Sequence, residues 1–448
     1  MQDILAIERT PQCWPLSPPS PILYSDLRGV KSADSHYLRA RVVAEMHMRR
    51  MPPLVAPVTM TQTVRLLTPA ERDAELAHLK TLATIVPDAL NIRQRDAAGG
   101  TEGGVEILWE RHSEATTATV ISPADPQAPF THGPAAERAF QWLEAAPGGV
   151  IRAARIAIVV SEDAAEALIP TLDFAMSELV SCRLGTARLW SDFHIHEDGY
   201  GRLLVAAGNV APADLGRLVQ RIQELGNYRN LALLGLPLVQ SESEKLLGLE
   251  DALAQIAEQM SNGVDDAALL DELCALSAQA AAITTATGFR LSATAAYAQI
   301  AHDRLSSLDC ADINGFQSLA EFTDRRLLPA VRTCASFVQR LETLSVRIER
   351  ATSLLRTRVD LAMQAQNVEL LRSMDASAAR QLSLQRVVEG LSAVAVSYYT
   401  LGLLGYFFPL LSNWLGLSEH SIAALAVLPV VVLIVAFLRW RSRGVIDR

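Results

Sequence analysis

Cysteine is scarce, with five in 448 residues. That is too few for a disulfide scaffold. Cys13, Cys182, Cys274, Cys310 and Cys334 show no C-x-x-C spacing, which argues against zinc ribbons and thioredoxin-like redox motifs. Glycine and proline number 24 and 21, which excludes a collagen-like chain. The glycines of 99–104 are not followed by Lys-Ser/Thr, so they make no phosphate cradle. The first residues lack the basic and apolar regions of a signal peptide. With Pro11, Pro15, Pro18, Pro19 and Pro21, residues 1–28 read as a proline-rich, loosely ordered lead-in.

What is abundant is apolar sequence. Half of the residues are apolar and mean hydropathy is +0.18, beside a net charge of −9. Intrinsic disorder is thereby excluded. The apolar excess is concentrated near the C-terminus. Residues 390–411 and 422–438 form charge-free runs of 22 and 17 residues. As helices they span about 33 Å and about 26 Å, against a hydrocarbon core of about 30 Å. The sequence predicts a transmembrane hairpin with spans at 387–411 and 421–438. Arg380 and Arg386 precede it, and four arginines follow in the tail 439–448. The connecting loop has no Lys or Arg, so both chain ends are expected in the cytoplasm.

Charge is polarised along the chain. Residues 1–331 carry −14, the segment 332–386 carries +4 and the tail 439–448 carries +3. A basic membrane-proximal stretch suits an anionic inner leaflet. An acidic soluble part disfavours nucleic-acid binding.

Up to residue 210 the pattern mixes strands and helices. Strands are expected at 58–67, 105–111, 115–121, 154–160, 178–184, 187–196 and 202–207. Helices are expected at 33–48, from Thr68 as N-cap with Glu71 closing a capping box, and at 134–146. From 211 the sequence is helical, with segments at 211–234, 242–260, 265–308 and 316–386. Apolar or small residues at Phe337, Leu341, Leu344, Ile348, Ala351, Leu355, Val359, Met363, Leu370 and Met374 keep spacings of mostly three and four, a coiled-coil-like seam. The fold class is therefore α+β: a mixed or antiparallel sheet domain at 29–210, a helical domain at 211–330, a long stalk helix at 331–386, and the two-helix transmembrane hairpin.

Candidate sites are few. Asp192, His194 and His196 fall on one face if the strand keeps its period of two, and two imidazoles with a carboxylate suit a divalent metal. The competing reading is an exposed polar strand face. Glu110 and His112 share a strand face as an acid–base or a structural pair. Glu45, His47 and Arg49 lie on the first helix, where Glu45 and Arg49 make an i,i+4 ion pair. Glu389, Ser392 and Tyr399 share a helical face at the membrane entry, as pore-lining or interfacial groups. Gly390, Ser397, Gly402 and Gly405 offer small surfaces for helix association. No catalytic constellation stands out, and no cofactor beyond a divalent metal is implied.

The runs Leu354-Leu355-Arg356-Thr357-Arg358-Val359-Asp360, Gln366-Asn367, Ser373-Met374-Asp375 and Val388-Glu389-Gly390-Leu391-Ser392 are distinctive. So are Ser397-Tyr398-Tyr399, Trp109-Glu110-Arg111-His112 and Ala232-Leu233-Leu234-Gly235-Leu236-Pro237. Together they resemble the bacterial membrane-anchored family known as domain of unknown function 3422. That resemblance implies an inner-membrane anchor and no established activity. The layout is also similar to CorA-type magnesium channels, although Gly405-Tyr406-Phe407 stands where their Gly-Met-Asn filter would be, and to two-span proteins of the meiotic nuclear division type. The expectation is a homo-oligomeric, non-enzymatic anchor, scaffold or sensor whose partners are the bilayer and further copies of itself. The alternative is a CorA-like divalent cation channel with a cation as partner.

Overall fold

A computed structural model of the chain describes residues 51–410 and 418–446, apart from 87–90, 93–94, 102 and 264, together with His36, Leu38, Arg39, Val42 and Val43. The proline-rich lead-in and most of the helix expected at 33–48 lie outside the described residues. Two compact units are present, Met1–Asp251 with Ala278–Ser345, and Ala252–Ser277 with Val346–Arg448.

The first unit is organised by one sheet. Its strands are β1 (Val58–Leu66), β2 (Asn91–Ile92), β3 (Asp96–Gly100), β4 (Glu106–Arg111), β5 (Ala115–Pro123), β6 (Gly149–Val159), β7 (Val180–Leu184), β8 (Ala187–Ile195), β9 (Gly201–Ala206) and β10 (Ala311–Asp312). They lie in the order β10-β7-β8-β9-β6-β1-β5-β4-β3-β2. The β6–β9 pair is parallel and the other pairs are antiparallel, so the sheet is mixed. The glycine-rich stretch at 99–104 partly joins it, because Gly99 and Gly100 pair with Ile107 and Glu106 in the β3–β4 hairpin. The two-residue strands β2 and β10 are too short for an alternation signal.

Helices follow the same logic. They are α1 (Glu71–Thr81), α2 (Glu137–Glu144), α3 (Glu162–Leu168), α4 (Pro212–Leu233), α5 (Gly235–Ser261), α6 (Asp266–Leu308), α7 (Leu319–Gly405) and α8 (Glu419–Ile446). The Thr68–Glu71 pairing exists in part: the Glu71 carboxylate accepts from the Thr68 N–H and hydroxyl, both at 2.8 Å. The helix, however, begins at Glu71 rather than beside Thr68. Ser161 caps α3, accepting from the Ala164 N–H at 3.3 Å.

Both sheet faces are covered. On one face Met60, Ile121, Ile156, Ile158, Leu189 and Val205 join Leu215, Val219, Ile222 and Leu225 of α4, with Tyr297, Ala301 and Leu305 of α6. The α4 residues recur at spacings of three and four, placing them on one helical face. The other face carries two smaller clusters, one around Trp109, Phe140, Trp142 and Leu143 and one around Trp190, Leu204, Ile169 and Phe174. Coverage on both sides explains why Thr59, Thr61 and Thr63 of β1 are buried although their pattern reads as a solvent-facing alternation. A bidentate pair at 2.8 and 2.5 Å between Arg290 of α6 and Glu114 ties the β4–β5 turn to the helical layer.

The second unit is helical. Leu253, Ile256, Met260, Leu269, Leu273, Leu276, Ile348 and Leu355 are buried. Arg358 donates to the Met260 carbonyl at 3.0 Å, satisfying a late carbonyl of α5. Beyond Leu361 the seam of α7 is exposed, including Met363, Leu370 and Met374.

Candidate functional site

The metal-type trio does not assemble. The β8–β9 register shifts between Ser191 and Ile195, and Phe193 has φ of 55°. This irregularity breaks the period of two on which the shared face depends. Asp192 turns inward and is buried. Its Oδ1 accepts from the His194 N–H at 3.2 Å and lies 3.3 Å from His196 Nε2, while its Oδ2 accepts from the Ala175 N–H at 3.0 Å. The His194 ring is exposed and sits 2.9 Å from Glu178. Among the described residues no group of three or more His, Cys, Asp or Glu side chains is placed to hold a metal ion. Asp192 and His196 instead form a structural pair that holds the irregular strand end.

Glu389, Ser392 and Tyr399, expected from the sequence at a membrane entry, are all exposed on α7. Glu389 accepts from the Gln385 amide at 3.1 Å, and the Tyr399 ring meets Tyr398 edge-on at 5.8 Å. Glu45, His47 and Arg49 lie outside the described residues.

Glu110 and His112 do come together. Their side chains approach to 4.0 Å, and His112 Nε2 lies 3.4 Å from the Thr117 hydroxyl. Both line a cavity of about 40 Å³ between the sheet and α4, along with Gln62, Thr117, Thr119, Gln223, Glu224 and Asn227. By the measure in which one water needs about 10–15 Å³, this is room for about three waters.

Behind the cavity wall sits a buried cation. β-Sheet register places Arg152 opposite Val64, and Val64 opposite Thr117, in one row across three strands. Arg152 Nη1 donates to Gln223 Oε1 at 2.7 Å, Asn227 Oδ1 at 2.9 Å and Gln62 Oε1 at 3.3 Å. All three acceptors are neutral, and among the described residues Arg152 has no ion pair. Burial, with the charge of Arg229 second, lowers its pKa to about 9. It is therefore still charged at neutral pH, held by hydrogen bonds to neutral groups. Arg229 repeats the theme. Its guanidinium lies over the rings of Phe193 and Phe322 at 4.7 and 5.5 Å, and Arg326 covers Phe322 at 4.1 Å. Burial and then Arg326 lower its pKa to about 10.

A carboxamide that offers its oxygen to Arg152 must turn its NH₂ elsewhere. Gln62 Nε2 donates to the Thr119 hydroxyl at 3.0 Å. Gln223 Nε2 is buried and has no hydrogen-bond partner. The sequence held two signals for this group. Arg152 occupies an inward position of β6 beside Ala154, Ile156 and Ile158, and Gln223 and Asn227 stand four apart on the apolar face of α4. Neither draws notice without the strand register that brings them together.

No curated protein matches the chain. One family model does, that of proteins of unknown function under the description DUF3422, aligned over residues 34–445. The match takes in both compact units, the sheet with its buried arginine and the apolar C-terminal helices alike, so the chain belongs to the DUF3422 family of proteins of unknown function.

Proposed function

We propose that this protein is a non-catalytic, homo-oligomeric anchor, scaffold or sensor of the bacterial inner membrane, crossing it twice with both chain ends in the cytoplasm. The carrying observation is the contrast among its apolar helices. Among the described residues three are long and apolar enough to span: α6, α7, and His420–Phe437 within α8, with mean hydropathies of 1.3, 1.5 and 2.5 over windows of 18 residues. The window of α6 is 28% buried, and its Tyr297, Ala301 and Leu305 belong to the sheet's core. The windows of α7 and α8 are only 6% buried.

Leu391, Val394, Leu403, Leu410, Leu425, Leu428 and Leu433 are all exposed. Removing these seven side chains from water is worth about 10–20 kcal/mol at about 1.5–3 kcal/mol each. Lipid supports that transfer most simply for charge-free segments of this length. The exposed continuation of the α7 seam supports self-association of further copies.

Membrane fractionation tests this reading. The full chain should stay in the membrane pellet through an alkaline carbonate wash, and a chain ending at Arg386 should be released. Extraction of the full chain by carbonate would overturn the proposal. Solubilised protein that ran as a monomer by light scattering would remove its oligomeric part.

A further inference from the structure

We propose that the cavity between β1, β5 and α4 binds a small zwitterion of the amino-acid type, its carboxylate inward against Gln223 and Asn227 and its ammonium outward at Glu110. Four observations converge on that chemistry.

The inner wall offers donors. Gln223 is 1% exposed, lines the cavity, and carries an amide NH₂ with no partner. A buried unsatisfied donor is costly, and a carboxylate oxygen is the acceptor that repays it best. The field at that wall is positive. Arg152 and Arg229 are charged at neutral pH, and among the described residues neither forms an ion pair.

The outer wall is of opposite sign. Glu110 and Glu224 line the same cavity with side chains 26% and 23% exposed, so they stand nearer to solvent than Gln223; Glu224 is already paired with Arg304 at 2.5 Å, and Glu110 is the carboxylate assigned to the ammonium. A plain anion would pass these carboxylates on entry, and a plain cation would end against the arginine field. A molecule with the negative end leading and the positive end trailing matches both walls. Size agrees, because space for about three waters accommodates a carboxylate and its α-carbon. Met51, Leu108 and Leu231 also line the cavity and favour a small apolar side chain.

Isothermal titration of the full chain in detergent, with glycine, L-alanine, β-alanine, acetate and methylammonium as probes, tests the proposal. The zwitterions should bind about tenfold or more tightly than acetate or methylammonium. Gln223→Glu keeps an oxygen for Arg152 and supplies a carboxylate of its own. It should raise the melting temperature and abolish zwitterion binding. Glu110→Gln, at the rim, should weaken zwitterions about tenfold and leave acetate unchanged or improved. If Gln223→Glu fails to fold, the Glu110→Gln comparison decides. No probe binding more tightly than about 10 mM, acetate binding as well as alanine, or wild-type affinity in either folded variant would each overturn the proposal.

Discussion

Gly226 should tolerate no methyl group while Arg152 is present. A Cβ built there would lie 2.7 Å from Arg152 Nε and 2.8 Å from its Cζ and Nη2. The far end of an arginine ordinarily yields cheaply. This one is buried and donates to three carboxamide oxygens, so yielding means breaking those bonds. Overpacking costs about 1–3 kcal/mol, and each lost bond to a charged group about 1.5–3 kcal/mol. Against this, Ala exceeds Gly in helix propensity by about 1 kcal/mol. The losses win, and Gly226→Ala should destabilise the first unit by about 2–4 kcal/mol. At roughly 2–4 °C per kcal/mol, the melting temperature should fall by roughly 5–15 °C. Tryptophan fluorescence reads it, since Trp109, Trp142 and Trp190 are buried in that unit. In an Arg152→Leu background, itself destabilised by orphaned carboxamides, the clash is gone. There Gly226→Ala should stabilise by about 0.5–1 kcal/mol through propensity alone. The change of sign is the test. Equal effects in both backgrounds, or stabilisation with Arg152 present, would refute the reasoning.

Other expectations follow from the same contacts. Glu114→Ala should cost about 2–4 kcal/mol by leaving Arg290, paired at 2.8 and 2.5 Å, without its carboxylate; the same thermal melt checks it. Arg358→Ala should expose the end of α5 by removing the bond to the Met260 carbonyl, read as faster hydrogen exchange around residues 256–261. Burial lowers the pKa of His78, whose ring stacks on Trp142 and bonds its carbonyl at 2.9 Å. Its folded pKa lies below its unfolded value, so the unfolded chain takes up the proton first. Stability from the neutral ring is present above about pH 6.5 and falls as pH drops through the window below it. The wild type should therefore lose melting temperature more steeply than His78→Gln between about pH 7 and pH 5.

The metal-type trio shows where local reading stops. Alternation places Asp192, His194 and His196 together, but one residue with positive φ, Phe193, turns the ring of His194 toward Glu178 and leaves Asp192 to the backbone and His196. A single irregularity inside an otherwise regular strand carries no composition signal. The capping pair fares similarly: Thr68 and Glu71 meet as their spacing requires, while the helix start is set by the turn between them. The short strands β2 and β10 exist only because longer neighbours offer them an edge.

Period and charge belong to neighbouring residues, and so the sequence by itself determined what is periodic or long: the main strands, the helical second half, the α7 seam and the apolar C-terminal runs. Tertiary structure alone decided the cavity. Val64, Arg152, Thr117, Gln223 and Asn227 come from β1, β6, β5 and α4, and it takes sheet register and helix packing to set a buried guanidinium behind a wall of amides. The same packing gives the apolar face of α6 a protein partner and leaves the most apolar stretches of α7 and α8 exposed, a distinction that hydropathy, summing along the chain, does not contain.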